Sequence, residues 1–253
     1  MFRPRVIPAL LLRNLGLVKT VRFKKPRYIG DPINAVKIFN DFKADEIVFL
    51  DILASRANSR ISLEFVKKVG AEANMPFSVG GGIRTIADIK EIIGAGAEKV
   101  ILNTSAFEDP DFVKRAVDEF GSSTIVISID IKKTLLKGPC VFTHCGTKNT
   151  QLQPLDYAKQ VEALGAGEIL LNYIDYDGLM TGYNIDLIQE IAQNLTIPLV
   201  AIGGAGKIEH FKSALDEGCA SAVAAGSMFV YHGPRNAVLI NYPSVDEMEQ
   251  LAI

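Results

Sequence analysis

Short runs of apolar, β-favouring residues recur along this chain, and most are followed by a stretch with apolar positions at i, i+3 and i+4. The runs cover residues 6–11, 46–51, 76–79, 99–102, 124–130, 168–171, 198–202 and 222–225. Strands that are apolar on both faces suit a parallel sheet covered by helices. Helix starts are legible where Asp31 precedes Pro32 and Asp109 precedes Pro110, a cap followed by a proline at the first helical position. Eight strand–helix pairs predict an α/β fold, a (β/α)8 TIM barrel. An open doubly wound sheet is the competing arrangement, but its Gly-x-Gly-x-x-Gly after the first strand is absent. At 253 residues the chain matches the roughly 250 that such a barrel needs, so residues 1–253 are expected to form one domain.

A second regularity sits on top of the first. Gly82 and Gly204, Gly96 and Gly218, and Ser105 and Ser227 are all separated by 122 positions. Three landmarks sharing one offset predict a barrel built from two similar halves. Each half has a glycine turn after a strand, then a helix, then a strand ending in a small polar turn. The turns are Gly80-Gly81-Gly82 and Asn103-Thr104-Ser105-Ala106 in the first half, and Gly203-Gly204-Ala205-Gly206 and Ala225-Gly226-Ser227-Met228 in the second. Glycine lets backbone N–H groups approach a phosphate, and a following helix start adds a favourable field. A single such turn is equally explained by steric need. The matched pairs predict phosphate binding at Gly81, Gly82, Asn103 and Thr104, and again at Gly203, Gly204, Gly226 and Ser227. The expected ligand is a phosphorylated small molecule with a phosphate at each end.

Charge and cysteine content narrow the field. A net charge of −2 gives no chain-wide basic field, so no nucleic-acid partner is expected, and anionic ligands must be held by local donors. No apolar run reaches the roughly 18 residues of a membrane span, and residues 1–8 read as a first strand rather than a signal peptide. Three cysteines without paired spacing fit a reducing cytoplasm. Cys140 and Cys145 flank His144, but zinc spacing is usually tighter and no second cluster completes four ligands. A structural turn explains His144 more simply. No metal or cofactor is expected, and Cys219 reads as a small buried residue before the last strand.

Several segments resemble, in order and spacing, the cyclase subunit of imidazole glycerol phosphate synthase. They include Ile47-Val48-Phe49-Leu50-Asp51-Ile52, Ser78-Val79-Gly80-Gly81-Gly82-Ile83-Arg84, Ile127-Ser128-Ile129-Asp130 and Ile202-Gly203-Gly204-Ala205-Gly206. The resemblance implies a barrel in a heterodimer with a glutaminase (a glutamine amidotransferase subunit). Ammonia from the partner would travel through the barrel to a bisphosphate ribonucleotide, giving imidazole glycerol phosphate and an aminoimidazole carboxamide ribotide. It also implies a gate of charges at the barrel bottom from Arg5, Glu46, Lys99 and Glu168. Lys19 matches a lysine on a mobile lid in the long first loop, residues 13–30. Asp51 and Asp177 fall among the substrate-facing loop residues.

Of the two aspartates on which that family's acid–base chemistry rests, Asp130 matches one. The other position reads Leu11, in Ile7-Pro8-Ala9-Leu10-Leu11. A positioned acid or base contributes about 10² to 10⁴ in rate, so roughly 3–5 kcal/mol of barrier lowering is missing. Retained phosphate turns and a retained gate with a lost acid resemble the paralogues associated with surface-polysaccharide (lipopolysaccharide and O-antigen) clusters. There the barrel and its glutaminase supply ammonia for a sugar-amidating enzyme. An authentic histidine-pathway cyclase remains the main alternative, and a non-catalytic ammonia conduit is a third reading. The isomerase of the same pathway shares the barrel but has no need of a charged bottom ring.

Overall fold

The structure is a computed structural model that describes residues 3–135 and 137–251. Met1 and Phe2, part of the segment read as leading into the first strand, lie outside the described residues. Eight parallel strands form the predicted barrel: β1 (Arg5–Arg13), β2 (Ile47–Asp51), β3 (Phe77–Gly80), β4 (Lys99–Leu102), β5 (Ile125–Thr134), β6 (Glu168–Tyr173), β7 (Leu199–Ile202) and β8 (Ala222–Ala225). Each pairs with its sequence neighbour, and β1 closes on β8 in the register Arg5↔Ala222 to Pro8↔Ala225. The two halves repeat in detail. Strand β3 and helix Ile86–Gly94 recur as β7 and helix Ile208–Asp216, with the same offset of 122 seen in the glycines.

Two apolar layers hold the barrel. Outside, the helices pack on the outward strand residues around large buried side chains such as Phe39, Phe49, Phe112, Phe211 and Phe229. Inside, a smaller core joins Ile7, Ala9, Val48, Ile101, Val126, Leu170, Val200, Ile202, Ala222 and Ala224. The period of two along each strand sets this division. On β1 the inward series is Arg5, Ile7, Ala9, Leu11, and on β5 it is Val126, Ser128, Asp130. The helix starts read from sequence are real caps: Asp31 accepts from the Asn34 N–H at 2.9 Å, and Asp109 from the Phe112 N–H at 3.1 Å.

The structure corrects the expectations for residues 13–30 and Cys219 and bears out the structural turn at His144. Residues 13–30 are not an irregular loop. Strand β1 runs on into an antiparallel hairpin of Gly16–Val21 and Lys24–Gly30. Its turns place Asn14, Leu15, Arg22 and Phe23 at positive φ, values of 50° to 63°, with no glycine to announce them. Strand β5 likewise continues past Asp130 and pairs with Gly138–Thr143, and a short strand Lys148–Asn149 completes that second hairpin. His144 and Cys145, both at φ 54°, lie in the turn that joins Thr143 to Lys148. Cys219 is exposed, not buried, because it sits in the left-handed turn between the helix ending at Asp216 and β8, at φ 57°. Among the described residues, no helix is long and apolar enough to cross a membrane.

Candidate active site

The C-terminal strand ends surround a cavity of about 320 Å³, the place where barrel enzymes keep their chemistry. It gathers nearly every residue singled out for that face: Asp51, Gly81, Gly82, Asn103, Thr104, Asp130, Asp177, Gly203, Gly204, Gly226, Ser227 and Lys19. Arg5, Glu46, Lys99 and Glu168, expected to form a charged gate, are absent from it and lie at the opposite end.

Asp130 is buried on the inner wall. Burial and the nearby Asp177 raise its pKa to about 7, while hydrogen bonds from Asn172 and Asn103 pull the other way. The Asn103 amide donates to Asp130 Oδ2 at 3.2 Å and to the Ser128 carbonyl at 2.9 Å. Asn103 Oδ1 accepts from the Thr104 hydroxyl, which in turn accepts from the His144 N–H at 3.0 Å. A single chain of hydrogen bonds therefore fixes Asp130 relative to the second hairpin. A carboxyl poised near neutrality can both hold and release a proton at working pH. Its neighbour across the cavity cannot, because the inward position on β1 is Leu11.

Lys19 is the largest departure from the expected lid. The hairpin tucks it inside the barrel mouth, fully enclosed, where Nζ donates to the Ala9 carbonyl at 2.7 Å. Burial lowers its pKa to about 8, against the opposing pull of Asp177. Asp177 is itself raised by burial, and Thr20 donates to its Oδ2 at 3.3 Å. Lys19 lies directly over the second small polar turn, since a Cβ added to Gly226 would fall 1.8 Å from Nζ. Asp51 is partly spent on its own loop, with Oδ1 accepting from the N–H groups of Leu53 and Ala54 at 2.9 and 3.1 Å.

The glycine turns behave alike in the two halves. Gly82 at φ 67° and Gly204 at φ 125° each bring the backbone against the carbonyl of another βα loop. An added Cβ would sit 1.9 Å from the Ser59 oxygen and 2.1 Å from the Gly182 oxygen. No side chain fits at either place. Sequence reasoning missed Arg13, Arg56, Thr20 and Phe23 as cavity residues. Arg56 and Phe23 carry no motif. Arg13 and Thr20 became visible only once the hairpin folded over the mouth. Asn172, near the end of β6, contributes a buried Oδ1 with no hydrogen-bond partner among the described residues.

At the other end of the barrel Arg5, Glu46, Lys99 and Glu168 form a closed ring of ion pairs. Arg5 pairs with both Glu46 and Glu168, and Lys99 Nζ lies 2.7 Å from Glu168 and 3.4 Å from Glu46. Ser78 donates to Glu46 Oε1 at 2.8 Å from the layer above. Two cations alternate with two anions, so each carboxylate is shared. That arrangement makes burial of the two carboxylates between half-buried cations tolerable.

A closed (β/α)8 barrel with an acid, paired amides and glycine turns at its C-terminal strand ends has the design of a barrel enzyme. Residues 5–234 match the family described as "Histidine biosynthesis protein". The chain is 47% identical over 249 residues to a Pseudomonas aeruginosa protein named "Putative imidazole glycerol phosphate synthase subunit hisF2", spanning 98% of this chain and 99% of that one. It is 43% identical over 252 residues to a Vibrio vulnificus protein named "Putative imidazole glycerol phosphate synthase subunit hisF3", spanning 99% and 96%. With "Imidazole glycerol phosphate synthase subunit HisF" of Natranaerobius thermophilus it shares 41% identity over 249 residues, spanning 98% and 99%. The chain belongs to this histidine biosynthesis family, among the HisF-type cyclase subunits of imidazole glycerol phosphate synthase.

Proposed function

We propose that this barrel is a specialised HisF-type paralogue: it takes ammonia from a glutaminase partner and supplies it for amidation of a surface-polysaccharide sugar. The observation that carries the reading is Leu11 at the cavity wall facing Asp130, in a fold whose cyclisation chemistry calls for an acid–base group there. Relatives at this level of identity include proteins whose names carry the numbered designations hisF2 and hisF3. That pattern suits duplication followed by specialisation.

In this account the ring of Arg5, Glu46, Lys99 and Glu168 is the ammonia entrance, against which the glutaminase docks as the other half of a heterodimer. Ammonia then passes through the interior core, where the small side chains of Ala9, Ser78, Ser128, Ala222 and Ala224 stand among the larger Ile7, Val48, Ile101, Val126, Leu170 and Val200. Gly81, Gly82, Asn103 and Thr104 hold one phosphate of a bisphosphate-type ligand, and Gly203, Gly204, Gly226 and Ser227 hold the other. Lys19 supplies the cation beside the second phosphate. The unpartnered Asn172 Oδ1 accepts a ligand N–H or O–H.

A second reading, an authentic histidine-pathway cyclase, draws on Asp177, which lines the same cavity and raises the pKa of Asp130 through its charge. There Asp177 would take the place of the missing acid. Asp130→Asn separates the two in a glutamine-fed assay of the barrel with its glutaminase. The ammonia-supply reading expects delivery within about twofold of wild type. A loss of 10² or more would overturn it in favour of chemistry at Asp130.

A further inference from the structure

The net charge of −2 hides a strong segregation. Residues 13–30 and 131–149 carry ten of the chain's 27 lysines and arginines and none of its 29 acidic residues. The remainder holds 17 cations against those 29 acids, so a basic cap sits on an acidic body. Both segments are the hairpins over the cavity, and they touch. Phe23, in the tip turn of the first, packs on Cys140, Phe142 and Ile174, and an added Cβ on Gly146 would meet its ring at 3.1 Å. The two hairpins form one continuous roof around the mouth.

The roof is not neutralised from within. Arg22, Lys24, Lys25, Lys133, Lys137 and Lys148 are exposed, and among the described residues none of them forms an ion pair. Ion pairs are plentiful elsewhere, for example Arg60 with Asp88 and Arg115 with Asp109. Where these exposed cations do find acceptors, the acceptors are neutral: Arg22 Nε donates to the Asp175 carbonyl and Lys137 Nζ to Gln151. The acids beneath, Asp175 and Asp177, point into backbone and hydroxyl donors of the roof instead. Large apolar side chains stand among the cations. Leu135 is fully exposed at the tip of the second hairpin, and Tyr28, Leu15 and Val21 are 67%, 61% and 47% exposed on the first. Unpaired like charges cost self-repulsion, and an apolar centre with a charged surround is the composition of a protein interface.

We propose that this roof is the docking surface for an acidic protein, the enzyme that accepts ammonia as it leaves the cavity. The inference rests on the ammonia-supply reading above, and chemistry favours a protein over another polyanion. Ammonia released into neutral water takes up a proton and loses its nucleophilic lone pair. A barrel that passes ammonia on must therefore have the acceptor's site sealed over its mouth. The roof is the surface that rings that mouth, with Arg13, Phe23 and Pro26 belonging to both. The glutaminase would hold the opposite end, so the assembly is linear.

The test uses the full chain in its native cells, with a photo-crosslinking amino acid at Leu135, at Tyr28, or at the outer-helix position Lys114 as control. The expected result is one protein product at Leu135 and Tyr28 and none at Lys114, rich in Asp and Glu. Lys24→Glu/Lys25→Glu/Lys137→Glu should abolish it. The captured protein, once purified, should bind the wild-type chain at least tenfold more weakly at 300 mM than at 50 mM salt. It should fail to bind the charge-reversed chain. Products with RNA or lipid, the same protein at Lys114, or binding indifferent to charge reversal would overturn the docking surface. The charge-reversed chain should still co-elute with the glutaminase. If that complex is lost or never forms, the ammonia-supply reading has failed rather than the roof.

Discussion

Lys19 Nζ lies 2.7 Å from the Ala9 carbonyl, an enclosed cation whose one hydrogen-bond partner among the described residues is a backbone oxygen. That is poor recompense for leaving water, and the lowering of its pKa from 10.5 to about 8 expresses the cost, about 3 kcal/mol. Lys19→Met removes the charge at similar length and gives up one hydrogen bond worth about 1 kcal/mol. The variant should therefore be about 1–2 kcal/mol more stable at pH 7 by urea unfolding, while losing affinity for bisphosphate ligands. The sign reverses the usual expectation for deleting a polar contact. Between pH 8 and 10.5 the unfolded chain holds a proton that the folded chain has released, so wild-type stability rises with pH and the variant's advantage shrinks.

Asp130 gives a second pH dependence of opposite slope. Its pKa is raised from 3.8 to about 7, so the folded state binds the proton more tightly than the unfolded one. The stabilisation is complete below pH 4 and is lost as the pH rises through 7. Asp130→Asn should flatten that decline and be more stable than wild type at pH 8, by up to about 4 kcal/mol. Unfolding at pH 5 and pH 8 for both proteins measures the difference. Equal slopes would mean that the carboxyl is ionised throughout.

At the barrel bottom the prediction concerns sharing. Glu168 pairs with both Arg5 and Lys99, so Glu168→Ala leaves two poorly hydrated cations with Glu46 alone. A loss of about 2–4 kcal/mol is expected, since removing one partner from a buried network is far costlier than the network is worth. A double-mutant cycle between Glu168 and Lys99 should show coupling above 1 kcal/mol. Additive effects would indicate solvated, independent charges.

The glycine turns can be tested as a pair. Gly82→Ala and Gly204→Ala each force a Cβ within about 2 Å of a carbonyl oxygen from another loop. Each should cost about 2–4 kcal/mol and displace the adjacent turn. Calorimetric binding of inorganic phosphate should drop at one site per substitution, leaving the other half occupied. A variant that keeps both sites would remove the phosphate assignment.

The strands and helix starts were legible because periodicity and caps are local properties. Eight apolar runs, Asp31-Pro32 and Asp109-Pro110 all reappear where the pattern put them. The repeat of 122 was legible for another reason: steric demands at Gly82 and Gly204 recur with the fold. The first hairpin was hidden because its turns use Asn14-Leu15 and Arg22-Phe23 at positive φ, without the glycine that signals such turns. With the hairpin unseen, Lys19 reads as a cation on a mobile lid and Arg13 as no site residue at all. Cys219 failed likewise, because a small residue in an apolar context does not reveal the left-handed turn that exposes it.

The central claim is that this barrel kept its binding turns and its ammonia entrance while giving up cyclisation at Leu11. The direct measurement is turnover of the histidine-pathway bisphosphate ribonucleotide by the purified chain, with ammonium at alkaline pH and no glutaminase, beside Leu11→Asp. The account predicts no turnover in the natural protein and a gain of at least 10² in the variant, whose new carboxylate faces Asp130 across the cavity. Robust turnover with Leu11 in place would contradict it and make the protein a working cyclase.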